Sequence, residues 1–260
     1  MQKNSLEIIP QQIDKIENLP KNLFGDVYIA FIPGESFLNV VSAAKNIIAQ
    51  GLTPIPHIPA RNISNKEDLQ SYLSHLDQVG VKKILAIGGS GKQIGKFSKT
   101  FDLFDTGLIN QFNFEQINIA GHPEGNPFDT NSDENLLKKC KWIINHQYRC
   151  SIISQWTFNT YKTNDWIQKI KKSTNLISDN YFEIHIGIAG PAKLTTLLKY
   201  AKICGVSATY LITKNKNLEL TKLINHNPNE IINKLSNYHN LHFFPFGGIK
   251  ELIKWKNKNI

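Results

Sequence analysis

The sequence predicts a (β/α)8 barrel, an α/β fold in which eight parallel strands alternate with helices. Eight short apolar runs rich in Ile, Val and Phe, each stopped by Gly or Pro, are typical of buried strands. Helical spacing follows most of these runs, and strict alternation of strand and helix means parallel pairing. Eight such units in a chain of 260 residues match the ~250 residues of a typical barrel. The alternative, an open doubly wound sheet, more often stops at about six strands.

Helical spacing of the apolar side chains is clearest at about residues 36–50 and 66–79, where they recur at i, i+3 and i+4. A last helix is expected over 249–256, after the eighth strand. The predicted strands lie, in chain order, at about residues 5–10, 26–32, 53–58, 82–88, 117–121, 150–155, 183–188 and 241–246.

Composition narrows the class of protein. The net charge is +9, but the lysines are scattered among asparagines over helices and loops, so a nucleic-acid partner is not expected. No apolar stretch approaches the ~20 residues of a membrane helix, and we expect no membrane partner. Three cysteines without a signal peptide suit a reducing cytosol. We expect one cytoplasmic domain over residues 1–260, and the sequence leaves open whether it forms a homo-oligomer.

Polar residues late in a barrel strand or just after it are the candidates for function, because the active site of such a barrel lies at the C-terminal ends of its strands. Each alone could be structural, as a paired buried group or a tight turn, but their recurrence at equivalent places favours a site. The six places are Glu7, His57 with Arg61, the glycine-rich turn at 88–91, the segment 122–127, Gln155, and the segment 187–191.

Glu7 carries the strongest chemical argument. It is flanked by Leu6 and Ile8 in an otherwise apolar strand. Burial would raise the pKa of its carboxyl, which is the condition for a general acid near neutral pH. The alternative is a structural salt bridge to a lysine or arginine.

The remaining motifs are less specific. The turn Gly88-Gly89-Ser90-Gly91 fails the phosphate-loop pattern and predicts at most an anion-binding turn at a helix start. Histidines and carboxylates lack a recognised metal-binding spacing, so no metal is expected. Gln155 could pair with the edge of a heterocycle through its donor and its acceptor. The aromatic Trp156 and Phe158 beside it could stack on a ring or simply pack under the helices.

Several segments together have a familiar order and spacing. They are 5–10 (Ser-Leu-Glu-Ile-Ile-Pro), 56–57 (Pro-His), 121–124 (Gly-His-Pro-Glu), 154–158 (Ser-Gln-Trp-Thr-Phe), 187–191 (Gly-Ile-Ala-Gly-Pro) and 242–246 (His-Phe-Phe-Pro-Phe). In these segments the chain resembles the methylenetetrahydrofolate reductase family, from about residue 5 to residue 255. That family consists of barrel enzymes that reduce methylenetetrahydrofolate to methyltetrahydrofolate.

The resemblance implies roles for individual residues. Glu7 would protonate a folate nitrogen so that the methylene bridge opens to an iminium, and Gln155 would hold the pterin edge, with Trp156 and Phe158 nearby. FAD would carry the hydride, with NAD(P)H as its partner in a ping-pong cycle. The implied cofactor-binding residues are His57, Gly88, Gly89, Ser90, Gly121, His122, Asn126 and Lys141, with Lys138 and Lys139 as alternatives to the lysine.

The chain also departs from the family pattern. After the fourth strand the family has a catalytic aspartate near the flavin ring. In this chain Ser90 occupies that position. Asn126 replaces a usual histidine, and His122 replaces a common tyrosine. Losing a carboxylate that stabilises a developing cation should slow the reaction or shift the flavin potential.

These departures leave three functional hypotheses. The first is interconversion of 5,10-methylenetetrahydrofolate and 5-methyltetrahydrofolate with FAD as hydride carrier. The second keeps the folate substrate and uses NAD(P)H directly, without flavin. The third is a folate-binding barrel without catalysis. The direction of the reaction and the choice between NADH and NADPH stay open.

Overall fold

Eight parallel strands close into a barrel in the computed structural model, which describes residues 3–17, 19–173, 182–207 and 225–259. The order around the barrel is β1-β10-β7-β6-β5-β4-β3-β2. Because β1 pairs in parallel with both β2 and β10, the sheet has no open edge, and the predicted barrel is confirmed over the open sheet. The barrel strands are β1 Asn4–Ile8, β2 Phe24–Ile29, β3 Thr53–Pro59, β4 Lys83–Ile87, β5 Gln116–Gly121, β6 Cys150–Trp156, β7 Phe182–Ala189 and β10 Asn240–Phe244. Two short strands, β8 Ala192–Lys193 and β9 Asn225–His226, form a separate antiparallel pair.

Helices lie between most consecutive barrel strands, and the two clearest predicted helices are confirmed. Ser36 Oγ accepts a hydrogen bond from the backbone N of Leu38, and Asn65 Oδ1 accepts one from the backbone N of Asp68, so a side-chain cap begins each of these helices. The helices are α1 Phe37–Ala49, α2 Lys66–Gln78, α3 Thr100–Phe104, α4 Ser132–Asn145, α5 Thr160–Ser173, α6 Leu194–Cys204, α7 Asn229–Ile232 and α8 Ile249–Lys258. Segments of 3₁₀ helix occupy Pro10–Ile16, Ala60–Asn62 and Ile109–Gln111.

Alternation along β1 separates an apolar outer face from a polar inner one. On β1, Leu6 and Ile8 are buried in the large cluster beneath the helices. The intervening Ser5 and Glu7 contact residues of β3 and β10 instead. Side chains with period two must point to opposite faces of a sheet. The first strand therefore presents its hydroxyl and its carboxyl to the barrel interior.

Hydrogen bonds across the interior confirm which face is inside. Asn118 Nδ2 on β5 donates to the hydroxyl of Tyr28 on β2, 3.2 Å away, although these strands are not neighbours. Asn118 Oδ1 also accepts from Gln116 Nε2 at 2.7 Å and from the backbone N of Ser151 at 2.7 Å. Buried polar groups are stable when they are paired, and this network fills the interior below the candidate site.

Within the described ranges, no helix is both long enough and apolar enough to cross a membrane. The expectation of one domain over residues 1–260 stays a prediction.

The close packing of α5 against β5 predicts the effect of a substitution at Gly121. An added Cβ there would lie 2.6 Å from the ring of Trp166, whereas a Cβ at Gly88 would meet nothing within 4 Å. Forcing a methyl group into a packed core costs about 1–3 kcal/mol. We expect Gly121→Ala to lower the free energy of unfolding by about that amount, measured by urea denaturation. Gly88→Ala is the matched control and should unfold as the wild type does; equal losses in both variants would contradict this packing.

Candidate active site

Glu7 lies in the barrel mouth between two histidines from different strands. Its Oε2 is 3.4 Å from Nε2 of His57 on β3 and 3.5 Å from Nε2 of His242 on β10. The side chain of Glu7 keeps 21% of its surface exposed, while those of His57 and His242 keep 9% and 0%. The carboxylate is thus the accessible member of a histidine–glutamate–histidine cluster at the C-terminal end of β1.

The pKa of Glu7 departs from the sequence expectation. Burial raises the pKa, as expected, but hydrogen bonds and charge from His242 and His57 outweigh burial and bring it down to about 2. The predicted upward shift is therefore wrong, and Glu7 is ionised at neutral pH. The alternative of a salt bridge to lysine or arginine is also not what the described residues show, since the two groups within ion-pair distance are histidines.

His242 is the site residue that sequence reasoning did not single out. Burial lowers the pKa of its imidazole, and the hydrogen bond and charge of Glu7 act in the opposite direction. Its Nδ1 lies 3.0 Å from Oγ of Ser5, so β1 contacts both ring nitrogens of His242. The signal was present in the sequence as a histidine in the last strand, but its distance from Glu7 along the chain hid the contact.

His57 faces Glu7, and the flavin-lining role that the resemblance implies for it stays a prediction. Its backbone oxygen accepts a hydrogen bond from the hydroxyl of Tyr72, 3.0 Å away, which ties β3 to α2. Tyr28 packs edge-on against both His57 and His242, with ring centroids 6.5 and 4.7 Å away. Burial, together with nearby negative charge, raises the pKa of Tyr28 far above its ordinary value, so its phenol is neutral.

The glycine-rich turn lies outside this cluster. Ser90 is exposed, and Gly89 adopts a φ of +85° that suits glycine. The next helix, α3, begins only at Thr100, so the expected anion-binding turn at a helix start is wrong. The turn is fixed by Arg61, whose backbone N donates to the oxygen of Gly88 and whose Nε donates to the oxygen of Ser98.

Residues of the fifth-strand segment have mainly structural contacts. The space beside Gly121 is filled by the ring of Trp166, so this glycine is explained by helix packing. Asn126 Oδ1 accepts a hydrogen bond from the backbone N of Phe128 within its own turn. Glu124 Oε1 accepts hydrogen bonds from the groups that precede α5, namely the Thr157 hydroxyl and the backbone N of Phe158 and of Asn159, at 2.6, 2.8 and 3.0 Å.

Of the three lysines that are candidates for cofactor binding, Lys139 turns inward, and Lys141 does not. Lys138 and Lys141 are exposed on α4, whereas Lys139 is mostly buried. Burial lowers the pKa of Lys139. Burial also lowers the pKa of His122 to about 4, and the charge of Lys139 adds to the effect. His122 and Lys139 therefore share one environment between β5 and α4.

Gln155 and its aromatic neighbours have different roles. Gln155 borders a cleft with His122, Glu124 and Cys204. Its Oε1 accepts from the backbone N of Trp156 at 3.1 Å, and none of the described residues accepts from its Nε2. Trp156 and Phe158 are each only 1% exposed, with ring centroids 5.0 Å apart. They pack in the core, so the stacking interpretation is wrong for both.

Within the described ranges, no three His, Cys, Asp or Glu side chains are arranged to hold a metal ion.

The arrangement defines a class of protein, a (β/α)8 barrel with an ionised carboxylate in its mouth.

No model of a known protein family matches the chain. It is similar to tryptophan synthase from M. tuberculosis, at 7% identity and a TM-score of 0.50, over 78% of this chain and 81% of that one. It is also similar to 3-keto-D-glucoside 4-epimerase from E. coli (10% identity, TM-score 0.49, 99% and 98% of the two chains). A mannanase catalytic domain from Streptomyces sp. is similar too (11% identity, TM-score 0.49, 98% and 82%). At these identities the likeness is one of fold.

Removal of the Glu124 carboxylate should destabilise the barrel. The variant Glu124→Ala leaves the donors before α5 without their acceptor, and such charge-assisted hydrogen bonds contribute about 2 kcal/mol. Glu134→Ala, an exposed glutamate on α4, is the control and should change the free energy of unfolding by less than about 0.5 kcal/mol. Chemical denaturation compares the two; equal losses would show that Glu124 is not a cap.

The lowered pKa of Glu7 predicts a pH dependence of stability. A carboxyl whose pKa falls from 4.5 to about 2 on folding stabilises the protein fully above pH 4.5, and that stabilisation is lost as the pH drops toward 2. The stability difference between wild type and Glu7→Gln should therefore shrink from about pH 4.5 downward. Unfolding curves at each pH measure it, and because both chains share all other carboxyls, a constant difference would contradict the assignment.

Proposed function

We propose that this protein is a folate oxidoreductase that interconverts 5,10-methylenetetrahydrofolate and 5-methyltetrahydrofolate, with FAD as hydride carrier and NAD(P)H as its partner. One observation carries the proposal. The carboxyl group of Glu7, to which the family resemblance assigns proton transfer, lies partly exposed in the barrel mouth and is held by two histidines. A carboxylate between barrel strands is costly to bury unless it is paired, and two histidines lie at ion-pair distance from this one.

Gln155 supports the same proposal from another strand. It borders a narrow cleft whose lining includes His122 and Glu124 but not Glu7, and its amide nitrogen is not used by the described residues. A primary amide can donate to and accept from a heterocycle edge that carries both an imine nitrogen and an N–H group. A pterin has such an edge, so Gln155 would orient the folate while Glu7 exchanges a proton with its bridging nitrogen.

The fit of the chain to FAD is poorer. Ser90 and Lys141 are exposed, Trp166 fills the space at Gly121, and the side chain of Asn126 bonds within its own turn. What remains open is the space beside Gly88, together with His122 and the neighbouring Lys139, whose positive charge would suit a phosphate. These residues do not amount to a flavin site, and we derive no step through the flavin.

A second candidate function is favoured by this poor fit. The protein would transfer hydride directly between NAD(P)H and the folate, and Glu7 and Gln155 would keep the same roles. The exposed Ser90 in place of a carboxylate near the flavin ring is the specific observation in its favour.

The proposal predicts that Glu7→Gln abolishes folate turnover with little change in folate binding. Loss of a group that transfers a proton costs about 10²- to 10⁴-fold in rate, and Glu134→Gln should keep the wild-type rate. Turnover of 5-methyltetrahydrofolate is measured anaerobically with added FAD, and separately with NAD(P)+ alone. Bleaching of bound FAD supports the flavin as carrier, whereas turnover without FAD supports direct transfer. Absence of turnover under both conditions would overturn the proposed function.

A further inference from the structure

On the basis of the proposed function, we propose that His242 is a positioning residue. Braced by Ser5, it holds Glu7 in the barrel mouth as a carboxylate, so that the resting site accepts a proton from its substrate. Nothing in the resemblance assigns a role to His242, which enters the site only through closure of the barrel between β1 and β10.

The ring of His242 has one available orientation. The residue is completely buried, Tyr28 packs against it at 4.7 Å between centroids, and Phe244 packs at 4.8 Å. Both packings are edge-to-face, with interplanar angles of 72° and 86°. Ser5 Oγ lies 3.0 Å from Nδ1. A rotation of the ring would break that contact and the aromatic packing, so Nε2 is kept on the side of Glu7.

The contact between His242 and Glu7 constrains the position of the ring proton. Nε2 of His242 lies 3.5 Å from Oε2 of Glu7, a contact at ion-pair distance and without hydrogen-bond geometry. A carboxylate can only accept, so this contact is favourable when Nε2 carries a proton. In a neutral ring with its proton on Nε2, Nδ1 is an acceptor, and the hydroxyl of Ser5, 3.0 Å away, is its donor.

The other titratable groups around the pair do not reverse this pattern. Tyr28 on β2 is neutral, because burial raises its pKa. Burial likewise raises the pKa of the Cys204 thiol on α6, where the charge of Glu7 is also felt. His185 on β7 faces His242 and contributes to its lower pKa, but its own Nε2 is bound 2.8 Å from Glu183. His57 is the second imidazole at ion-pair distance from Glu7, and His242 is the completely buried one.

For the proposed reaction it follows that Glu7 is unprotonated before the substrate binds, so it can accept a proton. When 5-methyltetrahydrofolate is oxidised, its methyl group loses a hydride, with its two electrons, to NAD(P)+ as the external acceptor and becomes an iminium. A folate amine nitrogen then forms a bond to the iminium carbon and loses its proton. Glu7 receives that proton, and water removes it afterwards. In the reductive direction Glu7 must first be protonated.

The first experiment uses the ligand-free protein and does not depend on turnover. Carbon-13 NMR of glutamate-labelled protein follows the Glu7 carboxyl signal, assigned by its loss in Glu7→Gln. We expect the wild-type signal to stay that of a carboxylate from pH 8 to below pH 4. In His242→Phe, which keeps a ring but has no nitrogen, the pKa of Glu7 should rise by about one unit or more.

Ser5→Ala provides a second, milder variant in case His242→Phe does not fold. It removes the brace and should raise the pKa of Glu7 by a smaller amount. His146→Gln, at an exposed histidine after α4, should leave the Glu7 signal unchanged. If wild-type Glu7 titrates at or above 4.5, or if both site variants leave its pKa unchanged, the role of His242 is overturned.

The pH profile separates failure of this inference from failure of the proposed function. With Glu7 ionised at rest, kcat/KM for oxidation of 5-methyltetrahydrofolate should be flat between pH 5 and pH 8. A tenfold rise per pH unit would mean that Glu7 rests protonated and would overturn the inference alone. Normal NMR behaviour of Glu7 without folate turnover would overturn the proposed function and leave the positioning role of His242 standing.

Discussion

Pairing of the first strand with the last is the constraint on which both the barrel and its candidate site depend. In the β1–β10 pair, Ser5 is the register partner of His242. A shift of one residue would turn Ser5 and Glu7 outward among the helices, because side chains alternate with period two. It would bring Leu6 and Ile8 into the polar interior. The same register that closes the core therefore brings a carboxylate, a hydroxyl and an imidazole together at the mouth.

The interior of this barrel combines a hydrogen-bonded polar network with a small apolar cluster of Ile55, Leu85 and Ile153 around Tyr28. Asn118 is completely buried and joins Gln116, Ser151 and Tyr28 in one hydrogen-bonded network. Such a network is stable only when its members are satisfied. Above this network, Nε2 of His57 and Nε2 of His242 make no hydrogen bond with the described residues. They lie 3.4 and 3.5 Å from Oε2 of Glu7. Glu7, the partly exposed member of this cluster, is the group that a substrate can reach.

Several residues that a motif assigns to ligands are explained here by packing. Gly121 is small because Trp166 lies against it, and Glu124 accepts hydrogen bonds from the start of α5. Trp156 and Phe158 are core residues. Motifs at strand ends mix residues that build the mouth with residues that act in it, since both must be close to the same loops. Burial and hydrogen-bond partners separate the two groups, and they leave Glu7, Gln155 and His122 at the mouth.

The sequence by itself determined the alternation of strands and helices, because hydrophobic periodicity is a local property of the chain. It also placed Glu7 late in the first strand and Gln155 in the sixth. These positions predicted a site at the C-terminal ends of the strands. The tertiary structure decided the direction of the Glu7 pKa shift, the choice of Lys139 over Lys141 as the inward lysine, and the burial of Trp156. Each of these depends on neighbours far away in the chain. The pairing of β1 with β10 brings His242 to Glu7, and its hydrogen bond and charge, with those of His57, overcome the effect of burial.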